Sequence, residues 1–318
     1  MTSILTLIQT ALELGLISSL TVLALFLSYS MLNVCDLSTD GCFTLGATVG
    51  AVVAIGGHPW LSIPAAMAAG ILSGFVVALL QTKMGINSLL AGIIVNTALY
   101  SINIAVMDGS SVLNMNKTET VFTMAKSLLE KLGLEDYNKL FVALVAVLAA
   151  ALLLGLFLKT KLGLAIRATG NNPDMVRSSS VNTTFTTIVG LCLSNSLTAL
   201  SGCLLAQSQK SVNIDIGTGM VTVALASLLI GGAFFGKRKI PLRILGMVVG
   251  SFIFRLVYTV ALRMDMPAYM LKLVSSVIVV LAISLPYLKE QFPLLKRRFG
   301  LRKGRQPEET RKEDNGKC

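Results

Sequence analysis

The run Gly231-Gly232-Ala233-Phe234-Phe235-Gly236-Lys237-Arg238 has the glycine and lysine spacing of a phosphate-binding loop. In such a loop backbone N–H groups cradle the phosphates, the lysine reaches them, and a following Ser or Thr holds magnesium. Arg238 stands at that last position, and an apolar segment rather than a strand leads into the run. The likeness is superficial, so any ATP-driven step belongs to another chain. Metal chemistry has no better footing. His58 is alone in a His58-Pro59-Trp60 turn, and Cys35, Cys42, Cys192, Cys203 and Cys318 are scattered without ligand spacing. All 16 acidic residues fall in expected loops, helix ends or the tail, which leaves no visible proton relay. Sodium coupling through carbonyls and hydroxyls stays open. We expect no catalytic residue, no metal and no cofactor.

The chemistry that remains is that of polar groups inside apolar stretches, where each needs a partner or water. Asn96, Tyr100 and Asn103 are spaced four and then three apart, on one face of a helix. Ser194, Asn195 and Ser201 lie in a later stretch that Gln207 closes. Each serves either as a hydrogen bond between helices or as lining for a small solute. Arg255 sits near the middle of an apolar run and must face the protein interior, a partner chain or water, with either a structural partner or a gating or pathway role. Lys272 lies nearer the end of its run and can reach the interface.

The elements that carry these residues are set by composition. Of 318 residues 54% are hydrophobic and 14% charged, against about 25% charged in soluble domains. Apolar runs recur that match roughly 30 Å of hydrocarbon, and in lipid they must be helices. We expect spans near 12–32, 42–57, 61–81, 86–107, 140–158, 185–206, 217–235, 241–262 and 268–287. The second is short and glycine-punctuated, hence broken or re-entrant. The fold class is an all-α, polytopic membrane helical bundle of about eight to ten transmembrane helices. Residues 1–288 form the membrane domain and 289–318 a basic, disordered tail. The net charge is +11, and loops 32–40, 82–85, 159–184 and 236–243 together with the tail hold 19 of the 27 Lys and Arg residues. That bias places the tail in the cytoplasm and the N-terminus outside. The tail lacks an aromatic platform, so its charge points to lipid headgroups and not to nucleic acid. Residues 119–132 could form a short amphipathic surface helix, either a spacer or a dock.

The chain also reads as four helices, a connector and four helices. Asp36-Leu37-Ser38-Thr39-Asp40-Gly41 follows the first helix, and Asp215-Ile216-Gly217-Thr218-Gly219 follows the sixth. Ile63-Pro64 precedes Gly70-x-x-x-Gly74, as Ile240-Pro241 precedes Gly246-x-x-x-Gly250. With an odd helix between them the halves insert with opposite topology, an arrangement that recurs in transport proteins.

Loop 159–184 is patterned beyond a simple turn. Gly170 and Asn171 break the preceding segment. Asn172 suits a helix cap, Pro173 the first turn, Asp174 the positive end, and Arg177 follows one turn on. Asn182 can cap the next helix. Gly163 through Pro173 resembles the coupling loop of permease subunits of bacterial ABC importers, the family of branched-chain amino acid, ribose and nucleoside permeases. Gly190 through Gln207 and Leu45-Gly46-Ala47 are similar to it as well, and the likeness covers most of residues 30–285. It points to the branch associated with tryptophan- or tyrosine-type binding proteins. Ser180 departs from the pattern, where Gly is frequent. The resemblance implies a bacterial plasma-membrane protein that pairs with a second permease chain and docks cytoplasmic ATPase subunits. An extracellular binding protein would deliver an amino acid or related solute. Gly170, Asn171, Asn172, Pro173, Asp174 and Arg177 would then form the docking elbow. A sodium-driven secondary transporter is the competing reading.

Overall fold

The computed structural model describes residues 2–130, 137–235, 239–263, 270, 273–281 and 284. The helices are α1 (Thr2–Leu25, continued by a π-helical turn Phe26–Met31), α2 (Thr39–Ile55), α3 (Pro59–Thr82), α4 (Ser88–Val106), α5 (Val121–Glu130), α6 (Asn138–Phe157), α7 (Lys161–Asn171), α8 (Pro173–Ser178), α9 (Thr183–Gln209), α10 (Met220–Phe235) and α11 (Ile240–Arg263). The long helices follow the apolar runs, and α3 continues through Pro64 in its second turn. Local chemistry sets several starts. The Asn87 side chain accepts the Leu89 N–H at 2.9 Å ahead of α4, and Asn182 accepts the Phe185 N–H at 3.2 Å ahead of α9. Pro59 opens α3, where its missing N–H costs nothing.

Among the described residues six helices are long and apolar enough to cross a membrane. Helices α2 and α10 are shorter, with 17 and 16 residues. At 1.5 Å per residue they reach only about 24–26 Å, less than the ~30 Å hydrocarbon layer. Of the ninth expected span, 273–281 is helical; Lys272 and the tail lie outside the described residues.

The antiparallel helices α1 and α9 form the buried centre. The Ser201 hydroxyl donates to the Ile17 carbonyl at 2.7 Å and the Ser194 hydroxyl to the Ala24 carbonyl at 2.8 Å. Around this pair the contacts repeat in inverted sense: α3 packs on α9 as α11 packs on α1, and α2 on α3 as α10 on α11. Both GxxxG faces are used. A Cβ at Gly70 or Gly74 would strike the α9 backbone at Asn195 and Leu191, and one at Gly250 would strike the Ser227 carbonyl of α10. Gly231 lies against the Gly246 carbonyl, so this glycine of the phosphate-loop mimic packs helices.

Three elements go beyond the sequence expectation. Strands β1 (Val112–Asn114) and β2 (Ser211–Asn213) pair antiparallel, Leu113 opposite Val212. They are three residues long each, too short to read from alternation. Residues 161–171, expected only as a broken lead-in, form helix α7. We call the end of the bundle bearing α7 and α8 the elbow end, and the other the sheet end.

Candidate functional site

The chain reverses where α1 ends. Leu32 reaches Gly190 near the start of α9; Asn33 then turns with a left-handed φ of 56°. Residues 33–38 climb back along α9 until Asp36 meets Asn195, in the middle of that helix. Helix α2 therefore begins at mid-depth and runs to the sheet end. Asp36 is 1% exposed. Its Oδ1 accepts the Ser38 N–H at 2.8 Å and the Ser38 hydroxyl at 2.6 Å, and its Oδ2 accepts Asn195 Nδ2 at 3.0 Å. All three donors are neutral, and the carboxylate sits at the positive end of α2. The Asn195 Oδ1 is buried without a hydrogen bond.

Helix α10 begins at the same junction and runs the other way. The Asp40 carboxylate, in the first turn of α2, accepts the Gly219 N–H at 2.9 Å and the Val221 N–H at 2.8 Å. An acid on one half-helix thus caps the other. Gly217 allows the approach, since a Cβ there would collide with the Asp40 carbonyl. Beside the α10 start, Arg255 Nε donates to the Ser18 hydroxyl at 2.9 Å. Its Nη2 lies 4.0 Å from Met220 Sδ, and its guanidinium 5.7 Å from the Tyr258 ring centroid.

The structure brings most of the sequence-chosen polar residues to this junction, and separates Tyr100 and Gln207 from it. Asn96 Oδ1 accepts the Gly41 N–H at 2.7 Å and Asn103 Nδ2 donates to the Gly41 carbonyl at 3.2 Å. Two amides of α4 thereby clamp one residue of α2. Tyr100 is 51% exposed and points away. Ser194 and Ser201 bind α1, and Asn195 binds Asp36. Sequence reasoning left Asp36 and Asp40 in a loop without a role. The available signal was an Asp-rich turn leading into a helix too short to cross alone.

At the elbow end, Thr160 caps α7 by accepting the Gly163 N–H at 3.3 Å. Asn171 closes α7. Asn172 Oδ1 accepts the Met175 N–H at 3.1 Å and Pro173 opens α8. Asp174 and Arg177 form an exposed pair at 3.8 Å, and Arg177 Nε also donates to the Thr183 hydroxyl at 3.1 Å. Gly170 faces inward: a Cβ there would collide with the Met31 carbonyl and with Leu32. The elbow is thus seated directly on the residues where α1 gives way to the climbing segment.

Comparison with known proteins identifies the family of the chain. Residues 7–283 match the family described as "Branched-chain amino acid transport system / permease component". The chain is 32% identical over 267 residues to the tyrosine transport system permease protein of Clostridioides difficile, covering 84% of this chain and 86% of that one. It is 25% identical to the ribose import permease protein RbsC of Escherichia coli over 78% of this chain and 75% of the other. The galactose/methyl galactoside import permease protein MglC of the same species is 25% identical over 69% and 63%. No solved structure matches.

Proposed function

This chain belongs to the family of branched-chain amino acid transport system permease components, and from that premise we propose that it carries an amino acid or related small solute inward while a separate chain hydrolyses ATP. In this reading the elbow end faces the cytoplasm, as does the basic tail 289–318. The sheet end receives solute from an extracellular binding protein, and two copies of the chain pair across the pathway. The amino acid assignment draws on the tyrosine permease relative.

The observation that carries the mechanism is the backbone contact of Gly170 with Met31 and Leu32. An ATPase pressing on α7 and α8 would push the point where α1 unwinds. The climbing segment carries that displacement to Asp36 and the start of α2, and Asp40 passes it to α10. Two half-helices that meet at mid-depth and diverge toward opposite ends can open one side while closing the other. Packed backbone with no side chain between makes the transmission stiff.

The test is co-expression with its ATPase and binding protein, followed by reconstitution. Uptake should require ATP and all three components. Pro173→Ala combined with Asp174→Ala should reduce recovery of the ATPase with the permease at least about tenfold, leaving membrane insertion intact. Uptake by the permease alone down a sodium gradient would overturn the reading. So would labelling, in intact cells, of a thiol introduced as Asp174→Cys.

A further inference from the structure

Helix α6 leans on α1 and stands away from α3. Between α3, α6 and α9 it leaves a cavity of about 1100 Å³, lined by Trp60, Met67, Phe141, Leu153, Leu197 and Leu204 among other apolar side chains. Small-molecule pockets run to roughly 300–1,000 Å³ and hold several convergent polar groups. This one is as large as the largest of those and almost wholly apolar. Its rim residues Trp60 and Leu153 are exposed, so it opens to the surroundings at the depth of the spanning helices.

At the sheet end the wall changes character. A second cavity of about 300 Å³ is lined by Thr120, Asn138, Lys139, Gln207, Gln209 and Lys210 among others, and among the described residues its lining includes two lysines and no acidic residue. The two spaces share elements. Leu204 and Gln207 lie one turn apart on α9, Lys139 and Phe141 two residues apart on α6, and Val121 adjoins Phe122 on α5. The polar part is firmly built. Gln207 is 1% exposed, donates to the Ser62 hydroxyl at 2.6 Å and accepts the Val121 N–H at 3.0 Å, which fixes α5 as a roof.

An apolar trough beside a hydroxyl- and amide-lined cup with two lysines matches a phospholipid end for end, acyl chain to apolar wall and phosphate to cation. We propose that it binds an anionic phospholipid from the leaflet at the sheet end, with acyl chains along α6 and the phosphate at Lys139 and Lys210. Charge complementarity selects an anionic headgroup over a zwitterionic one, whose ammonium would meet two more of its kind. Bound there, the lipid would wedge α6 at its distance from α3.

The test uses the full-length permease in detergent, with retained lipid counted by native mass spectrometry during titration with phosphatidylglycerol or phosphatidylcholine of identical acyl chains. The native chain should prefer phosphatidylglycerol by roughly tenfold or more, the effect of two basic residues at a headgroup. Lys139→Gln with Lys210→Gln should bring the two lipids to near parity. Ala149→Trp, at an exposed position of the apolar wall, should lower binding of both, and Val145→Trp provides an independent block should the first fail to fold. Equal retention of the two lipids by the native chain would overturn the proposal. So would unchanged retention in a folded Ala149→Trp or Val145→Trp variant. A shift of that variant between monomer and dimer at constant lipid count would do the same, by assigning the trough to a second copy of the chain.

Discussion

The half-helices α2 and α10 start at one junction and are secured in different ways. Helix α2 is held by its own chain through Asp36 and Ser38, by Asn195 of α9, and by the two α4 amides on Gly41. Among the described residues the start of helix α10 shows no such set. Asp215, the counterpart of Asp36 in the sequence repeat, is exposed, and the carboxylate at the start of α10 comes from Asp40 of α2. The repeat therefore preserves the break but not its anchorage. One half of the molecule fixes its half-helix at the junction through several groups, whereas the start of α10 is tied there by a two-bond cap from the other half. An element held so lightly at one end is suited to move, whereas α2 is suited to guide it.

The largest effect should come from dislodging α2. Phe43 of α2 places its carbonyl against Gly202 of α9 so closely that a Cβ would overlap it. Gly202→Leu should leave no recoverable folded permease. Gly232→Ala on α10 meets nothing within 4 Å and should be neutral or stabilising by up to about 1 kcal/mol. Monodisperse yield in detergent distinguishes the two. Next comes the cap. Asp40→Ala strands two N–H groups at the junction and should cost about 2–3 kcal/mol of thermal stability. Asp215→Ala should change it by less than about 0.5 kcal/mol. Equal losses would mean that the halves are anchored alike and that the contrast is wrong.

A subtler comparison concerns what Asp36 contributes. Asp36→Ala leaves Ser38 and Asn195 with buried unpaired donors, at about 1–3 kcal/mol. Asp36→Asn keeps an acceptor for Ser38. Its new amide can donate to Asn195 Oδ1, now unpartnered, once the Asn195 amide turns over. Melting curves should then place Asp36→Asn within about 1 kcal/mol of the native chain. A loss as large as that of Asp36→Ala would show that negative charge itself, facing the α2 dipole, holds the junction.

These two acids also mark where sequence reading stopped. Hydropathy assigns depth by position along the chain, so a turn between apolar runs is taken for a surface loop. Here the first span overshoots and the chain climbs back, which carries that turn to mid-depth. The helix caps were legible because each is a contact over three residues: Asn172 and Asn182 lie where their types indicate. The GxxxG faces and the paired turns were legible for the same reason. The partners of Asn96 and Asn103 were not, since both address Gly41, more than fifty residues away. At about 100° per residue, Asn96 and Asn103 align within roughly 20° while Tyr100 is turned some 40–60° from them. That rotation is enough to leave Tyr100 outside the clamp.

The smallest expected change tests the strained turn at the elbow. Ser180, between α8 and α9, has a left-handed φ of 60°, where a Cβ costs about 1–2 kcal/mol and glycine pays nothing. Glycine also loosens the unfolded chain by about 0.4–1 kcal/mol. Ser180→Gly should therefore stabilise by only about 0.5–1 kcal/mol, visible as a rise of a few degrees at most in a thermal melt. The Ser180 side chain makes no part of the Gly170 seat, so ATPase recovery with the permease should not change. Stabilisation together with weaker recovery would mean that the strained turn itself sets the pose of α8, and that the elbow is tuned by its conformation as well as by its contacts.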